Sequence, residues 1–178
     1  MNFKQSKTYA NLEKAYESEL ISSTRYHLYA DKAQQDRYIE ISNIFMDTSD
    51  IEKAHAAIWL RKLNMGLLPT TLENLESAVY YESYAGNQMY RDFAKVAKEE
   101  GYLELEALFN GVANIEINHE LVFQILLENV KNDQVFCKEK EVLWICINCG
   151  NIMRGVCAPE ICPVCLFPQG YYKLFENF

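Results

Sequence analysis

The sequence predicts a mainly α-helical body of four long helices followed by a small metal-binding module. Three observations carry that expectation. Apolar residues recur at alternating spacings of three and four through residues 9–130, the signature of amphipathic helices. Glycine and proline are scarce, 7 and 4 in 178 residues, which suits long uninterrupted helices. Four of the six cysteines are grouped near the C-terminus as two C-x-x-C pairs.

Length allows one sizeable domain plus a small module. The formal net charge of −8 argues against nucleic acid or an anionic membrane surface as a partner. Residues Met1 to Lys7 lack the apolar core of a secretory signal, and no apolar run is long enough to span a bilayer. A cytoplasmic protein with reduced cysteines is the expectation, so the paired cysteines favour a metal site over disulfides.

A first helix is expected from about Tyr9 to Asp36, with the stripe Leu12, Tyr16, Glu19, Ser23, Tyr26, Ala30 and Ala33. A second runs from about Arg37 or Tyr38 to Leu63, with Ile41, Phe45, Thr48, Glu52, His55 and Trp59 on its seam. Gly66 and Pro69 punctuate a short connection, and Thr70-x-x-Glu73 reads as a capping box opening the third helix. The third carries Leu75, Ala78, Glu82, Ala85, Met89, Phe93 and Val96, and breaks near Gly101. The fourth, from about Tyr102 to Val130, carries Leu105, Leu108, Val112, Glu116, His119, Phe123 and Leu126.

Each helix therefore places one glutamate in the middle of an apolar seam: Glu19, Glu52, Glu82 and Glu116. Two of them add a histidine one turn on, His55 and His119, in Glu-x-x-His. Charge on a core-facing seam is costly unless it is compensated, and a pair of metal ions would compensate it. Single glutamates from two helices with Glu-x-x-His from two others is the ligand pattern of di-iron and di-manganese carboxylate bundles. Carboxylate oxygens bridge and neutralise two divalent cations, and one imidazole caps each. A lone Glu-x-x-His is more often a solvated pair, but two copies on apolar seams, matched by lone glutamates on the other helices, favour the dinuclear site. Tyr26 and Tyr90 lie two turns from Glu19 and Glu82 on the same faces, either as core packing or as hydrogen-bond partners of a ligand carboxylate. His27 lies beside the stripe, has no such partner and reads as a surface or boundary residue.

Residues 131–142 mix Asn, Asp, Lys and Glu without period and read as a linker between a body at 1–130 and a module at 143–178. In the module, Cys146-x-x-Cys149 and Cys162-x-x-Cys165 supply four thiolates for one tetrahedral ion. Zinc and iron both suit such a site; Gly150 after the second cysteine and Pro163 after the third lean toward a rubredoxin-like iron centre. So small a piece has too little core to fold unaided, and the metal supplies its stability. Cys137 and Cys157 fall outside both pairs and are expected as free thiols.

A carboxylate bundle followed by a four-cysteine module resembles the rubrerythrins over nearly the whole chain. The residues that carry the resemblance are Glu19 before Arg25-Tyr26, Glu52-x-x-His55, Thr71-Leu72-Glu73-Asn74-Leu75 and Glu82. They continue through Met89-Tyr90-x-x-Phe93-Ala94-Lys95-Val96-Ala97, Glu116-x-x-His119, Ala158-Pro159-Glu160-x-Cys162-Pro163-x-Cys165 and Pro168-Gln169. The resemblance implies a ferritin-like four-helix bundle followed by a rubredoxin-like domain. It also implies a non-haem peroxidase that reduces hydrogen peroxide to water at a di-iron site. Electrons would enter through the rubredoxin-like iron from a small redox protein or an NAD(P)H-dependent reductase, and the activity would protect anaerobes or microaerophiles from oxidative stress.

Two departures from the family pattern bear on this. Rubrerythrins carry a further glutamate one turn after the third-helix ligand, and here that position is Ala85. Its absence raises a di-iron oxidase, ferroxidase or iron-storage protein as alternatives, beside a non-catalytic zinc or iron scaffold. The connection between the second and third helices also looks short for a ferritin-like crossover, which must climb about 30 Å. Roughly nine residues would cover that only when almost fully stretched. The expectation is a homodimer that exchanges helix pairs, each metal site drawing on two helices from each chain.

Overall fold

A computed structural model describes residues 2–175. Its helices are α1 (Lys7–Gln35), α2 (Ile39–Leu63), α3 (Thr71–Tyr84), α4 (Tyr90–Glu99) and α5 (Leu103–Lys131), with a π-turn at Ala85–Met89 joining α3 to α4. Strands β1 (Cys137–Cys146), β2 (Ile152–Cys157) and β3 (Tyr172–Leu174) form a C-terminal sheet. The chain divides into two compact units, split between Pro69 and Thr70.

The first unit is the antiparallel pair α1 and α2. The Ser6 hydroxyl opens α1 by accepting the Tyr9 N–H at 3.1 Å. Arg37, at φ 66°, closes it, and the Tyr38 N–H reaches back five residues to the Ala33 carbonyl. The interface is built from small residues: Ala30, Ala33, Ser42, Ser49 and Ala56 are all buried. Their hydroxyls are satisfied across it, Ser42 donating to the Ala30 carbonyl at 2.8 Å and Ser49 to the Ser23 carbonyl at 2.8 Å.

The second unit holds α3 to α5 and the sheet. The Thr70–Glu73 capping box forms as expected, with the Glu73 N–H on the Thr70 hydroxyl and the Thr70 N–H on the Glu73 carboxylate. The third helix is not continuous. It passes through the π-turn, where Gly86 lies so close to α5 that an added Cβ would stand 2.8 Å from Ile117 Cγ1 and 2.9 Å from Ile117 N. Only glycine permits that approach. Gly101, at φ 86°, then ends α4, with the Tyr102 N–H on the Ala97 carbonyl.

The sheet has the order β2-β1-β3, antiparallel throughout. It packs a small core of Trp144, Cys146, Ala158, Cys162 and Tyr172. Strand β1 begins at Cys137, inside the segment expected to be linker. Cys137 and Cys157 are not free thiols as expected. They stand directly opposite each other across β1 and β2 and are joined in a disulfide. The pairing is non-local and depends on a register shift between Cys137 and Val142, which local spacing does not reveal.

The helical seams differ from expectation in one respect. Ile41, Phe93, Val96, Leu105, Leu108 and Leu126 lie on the seams expected to face a core, yet all are exposed, Leu108 by 60%. The physical reason is that within each unit a helix meets one neighbour, α1 with α2 and the interrupted α3–α4 with α5, and buries only the edge that touches; a seam that continues past the contact stays open.

Candidate metal centres

In the first unit, Glu19 on α1 meets Glu52 and His55 on α2, their ligand atoms all within 4.8 Å of one another. The His55 Nδ1 lies 3.0 Å from Glu52 Oε2 and 3.9 Å from Glu19 Oε2. The indole N–H of Trp59, one turn beyond His55, donates to Glu19 Oε1 at 3.4 Å. The second unit repeats this arrangement: Glu82 on α3 meets Glu116 and His119 on α5. Here His119 Nδ1 stands 2.8 Å from Glu116 Oε2 and 3.5 Å from Glu82 Oε2. Helical geometry explains both, because residues three apart project from one face and the antiparallel partner brings its glutamate to the same level. In each triad the carboxylates are half-buried and the imidazole is exposed.

The electrostatics of both triads call for a cation. The hydrogen bond from the Glu19 carboxyl, and then His55, holds Glu52 below its usual range. Burial, and then the adjacent Glu116 carboxyl, pushes Glu82 up. Paired carboxylates this close repel each other when ionised, and a divalent cation between them removes that repulsion. Two triads carry four carboxylates and two imidazoles, a donor set that neutralises two divalent ions and suits iron or manganese.

The other two residues singled out from the sequence sit in aromatic clusters. Tyr26 stacks on Phe45 with ring centroids 6.1 Å apart, and Tyr90 lies against Phe93 and Phe109. His27 is exposed, as expected of a surface residue. Trp59 stands on the expected stripe, but its bond to a ligand carboxylate depends on how α1 and α2 align.

Cys146, Cys149, Cys162 and Cys165 converge with their sulfurs within 4.8 Å. The Cys146–Cys165 and Cys149–Cys162 sulfurs are each 3.7 Å apart. A tetrahedral ion with metal–sulfur bonds of about 2.3 Å requires edges of about 3.8 Å, so the four thiols already have the right size. Both knuckles close alike: the Gly150 N–H bonds the Cys146 carbonyl, the Leu166 N–H bonds the Cys162 carbonyl, and both residues adopt positive φ. The four sulfurs differ in proton affinity. Burial would raise the Cys162 thiol, but hydrogen bonds from Tyr172 and from the backbone of Cys165 and Val164 bring it down to about 6. The Asn151 backbone lowers Cys149, but burial and the three neighbouring sulfurs push it up to about 12. Four thiols cannot all ionise side by side without a cation between them. Asn148 holds Cys165 down, and the Asn151 amide reaches both Cys162 Sγ and the Tyr172 hydroxyl. These three residues were not singled out from the sequence; only the fold sets them against the sulfurs.

Comparison with known proteins agrees with both centres. A family model described as Rubrerythrin matches residues 10–127 and again 73–143. A second, described as Rubrerythrin, rubredoxin-like domain, matches residues 144–173. The chain is 36% identical to rubrerythrin-1 of Clostridium acetobutylicum, with 99% of each chain covered. It is 38% identical to a rubrerythrin of Clostridium perfringens, covering 99% of this chain and 98% of that one. A rubrerythrin of Nitratidesulfovibrio vulgaris is 33% identical, over 97% and 96%.

Proposed function

The chain belongs to the rubrerythrin family, and on that premise we propose that it is a cytoplasmic non-haem peroxidase reducing hydrogen peroxide to water. The observation that carries the reading is the pairing, in one chain, of two Glu-Glu-His triads with a four-cysteine site. Glu19, Glu52, His55, Glu82, Glu116 and His119 would hold two irons, and Cys146, Cys149, Cys162 and Cys165 a third. Iron held there would supply two electrons for the O–O bond and a one-electron relay to replace them. Trp59 fixes Glu19 through its indole N–H. Cys149 is exposed while Cys146 and Cys162 are buried, which gives an electron donor one accessible edge of the sulfur site. Among the described residues no helix is long and apolar enough to cross a membrane.

Ala85 keeps a second reading open. Its methyl opens the π-turn where the family's further glutamate would stand, so no fifth carboxylate joins the Glu82 triad among the described residues. That favours oxygen reduction or ferrous-iron oxidation as the rival activity. Anaerobic rapid mixing of the reduced, iron-loaded protein with hydrogen peroxide, and separately with oxygen, decides between them. The peroxidase reading expects the colour of the four-cysteine iron to return faster with peroxide. Faster return with oxygen would overturn it in favour of the oxidase.

The same reading includes an exchanged homodimer, with residues 1–130 as the carboxylate body and 143–178 as the sulfur module. From Glu52 to the end of α2, and again from the start of α3 to Glu82, the chain runs 11 residues of helix. If α2 and α3 run the same way, as in a ferritin-like bundle, the connection must climb about 33 Å. The step from Leu63 to Thr71 can span at most about 29 Å. Each centre is therefore completed by a second copy, which would also cover the exposed seams.

A further inference from the structure

We propose that Cys137 and Cys157 form a reversible dithiol–disulfide couple, a redox site separate from the ten metal ligands. The six cysteines sort into two sets: four free thiols gathered at one metal site, and this one bonded pair. The pair stands at the opposite end of β1 from the ligand Cys146. Cys157 is exposed and Cys137 half-buried, so a reagent in solution reaches the couple from the Cys157 side.

Bonds other than the disulfide hold the two sulfurs together. The Ala158 N–H donates to the Phe136 carbonyl at 2.8 Å, joining the residues that flank the pair. Gln169 Nε2 donates to the Ala158 carbonyl at 2.6 Å, and Phe136 packs on the buried cluster around Trp144. When the S–S bond opens, these contacts keep both thiols within reach, and closure remains an intramolecular step. Conditions that keep four cysteines reduced for a metal also favour opening an exposed disulfide.

The chemistry balances with hydrogen peroxide as oxidant. The Cys157 thiolate attacks one peroxide oxygen and the O–O bond breaks. With one proton taken up, this gives a sulfenic acid and one water. The Cys137 thiol then attacks the sulfenic sulfur, forming the S–S bond and releasing a second water. Two thiols lose two electrons and peroxide gains them. A dithiol reductant reverses the change, its own thiols ending as a disulfide. The couple borrows its oxidant from the proposed function, but its readout is independent of turnover at the carboxylate centre.

The test uses full-length protein with both metal sites filled. The protein is reduced anaerobically with a small dithiol, desalted, exposed or not to peroxide, alkylated, and mapped by peptide mass. Cys137 and Cys157 should be alkylated after reduction and protected after peroxide, while the iron content of the desalted protein is unchanged. Failure to open the pair without releasing that iron would make it a structural staple and overturn the proposal, as would equal alkylation with and without peroxide. In C137S, a 1,3-dione should capture a sulfenic acid on Cys157, with roughly tenfold more labelling than at Cys137 in C157S. The reverse ratio would overturn the assigned order of attack. Protection without peroxide turnover would sink the proposed function and leave the couple standing; turnover in C137S/C157S without protection in the native chain would do the opposite.

Discussion

Tyr172 shows how one side chain can set the behaviour of the sulfur site. It is buried, its hydroxyl bonds to Cys162, and burial followed by that sulfur raises its own pKa. An O–H donor stabilises the more negative, reduced form of a thiolate-bound iron, so it raises the reduction potential. Tyr172→Phe removes the donor while keeping the ring in the core. Its potential should fall by a few tens of millivolts, the equivalent of about one hydrogen bond, with the visible spectrum retained. Spectroelectrochemical titration reads the shift directly; an unchanged potential would mean that the hydroxyl only fills space.

Among the elements, the π-turn between α3 and α4 places the most demands on its sequence. It begins within one turn of Glu82, and its Gly86 rests against Ile117 of α5, the residue after Glu116. The contact tolerates nothing larger than the Gly86 hydrogen, because both the side chain and the backbone of Ile117 would meet a Cβ. Gly86→Ala should therefore lower stability by about 1–3 kcal/mol despite alanine's better helix propensity. Thermal unfolding of the metal-free protein measures this. Metal occupancy at the Glu82 triad should fall with it, since separating α3 from α5 pulls Glu82 away from Glu116 and His119. An unperturbed melting temperature would show that the π-turn relaxes at no cost.

For the whole molecule, the proposed exchanged dimer would have a consequence that a single-chain site lacks. A chain carrying E52A and H55A has defective α2 ligands, and one carrying E116A and H119A has defective α5 ligands. Neither should form a full centre alone. Unfolded together and refolded with iron, the mixed dimer should gain one intact centre and one doubly defective centre. Peroxide turnover should return only in the mixture, well above the sum of the separate variants. Absence of any gain, with mixed dimers present by mass spectrometry, would place all six ligands of a centre in one chain.

Much of this was already present in the sequence, for a physical reason. The four seam glutamates, the two histidines one turn on and the paired C-x-x-C knuckles are local patterns, and helix periodicity or chelate spacing alone fixes their chemistry. Gly101 and the Thr70–Glu73 box likewise mark helix ends through their own backbone and side-chain preferences. What only the tertiary structure decided depends on residues far apart in the chain. The Cys137–Cys157 bond needed the β1–β2 register, the Trp59–Glu19 contact needed the alignment of α1 with α2, and the Tyr172–Cys162 bond needed β3 beside β1. The π-turn needed the close approach of Gly86 to Ile117. Local preference chooses the elements and their ligands; contact between distant segments chooses what those ligands touch.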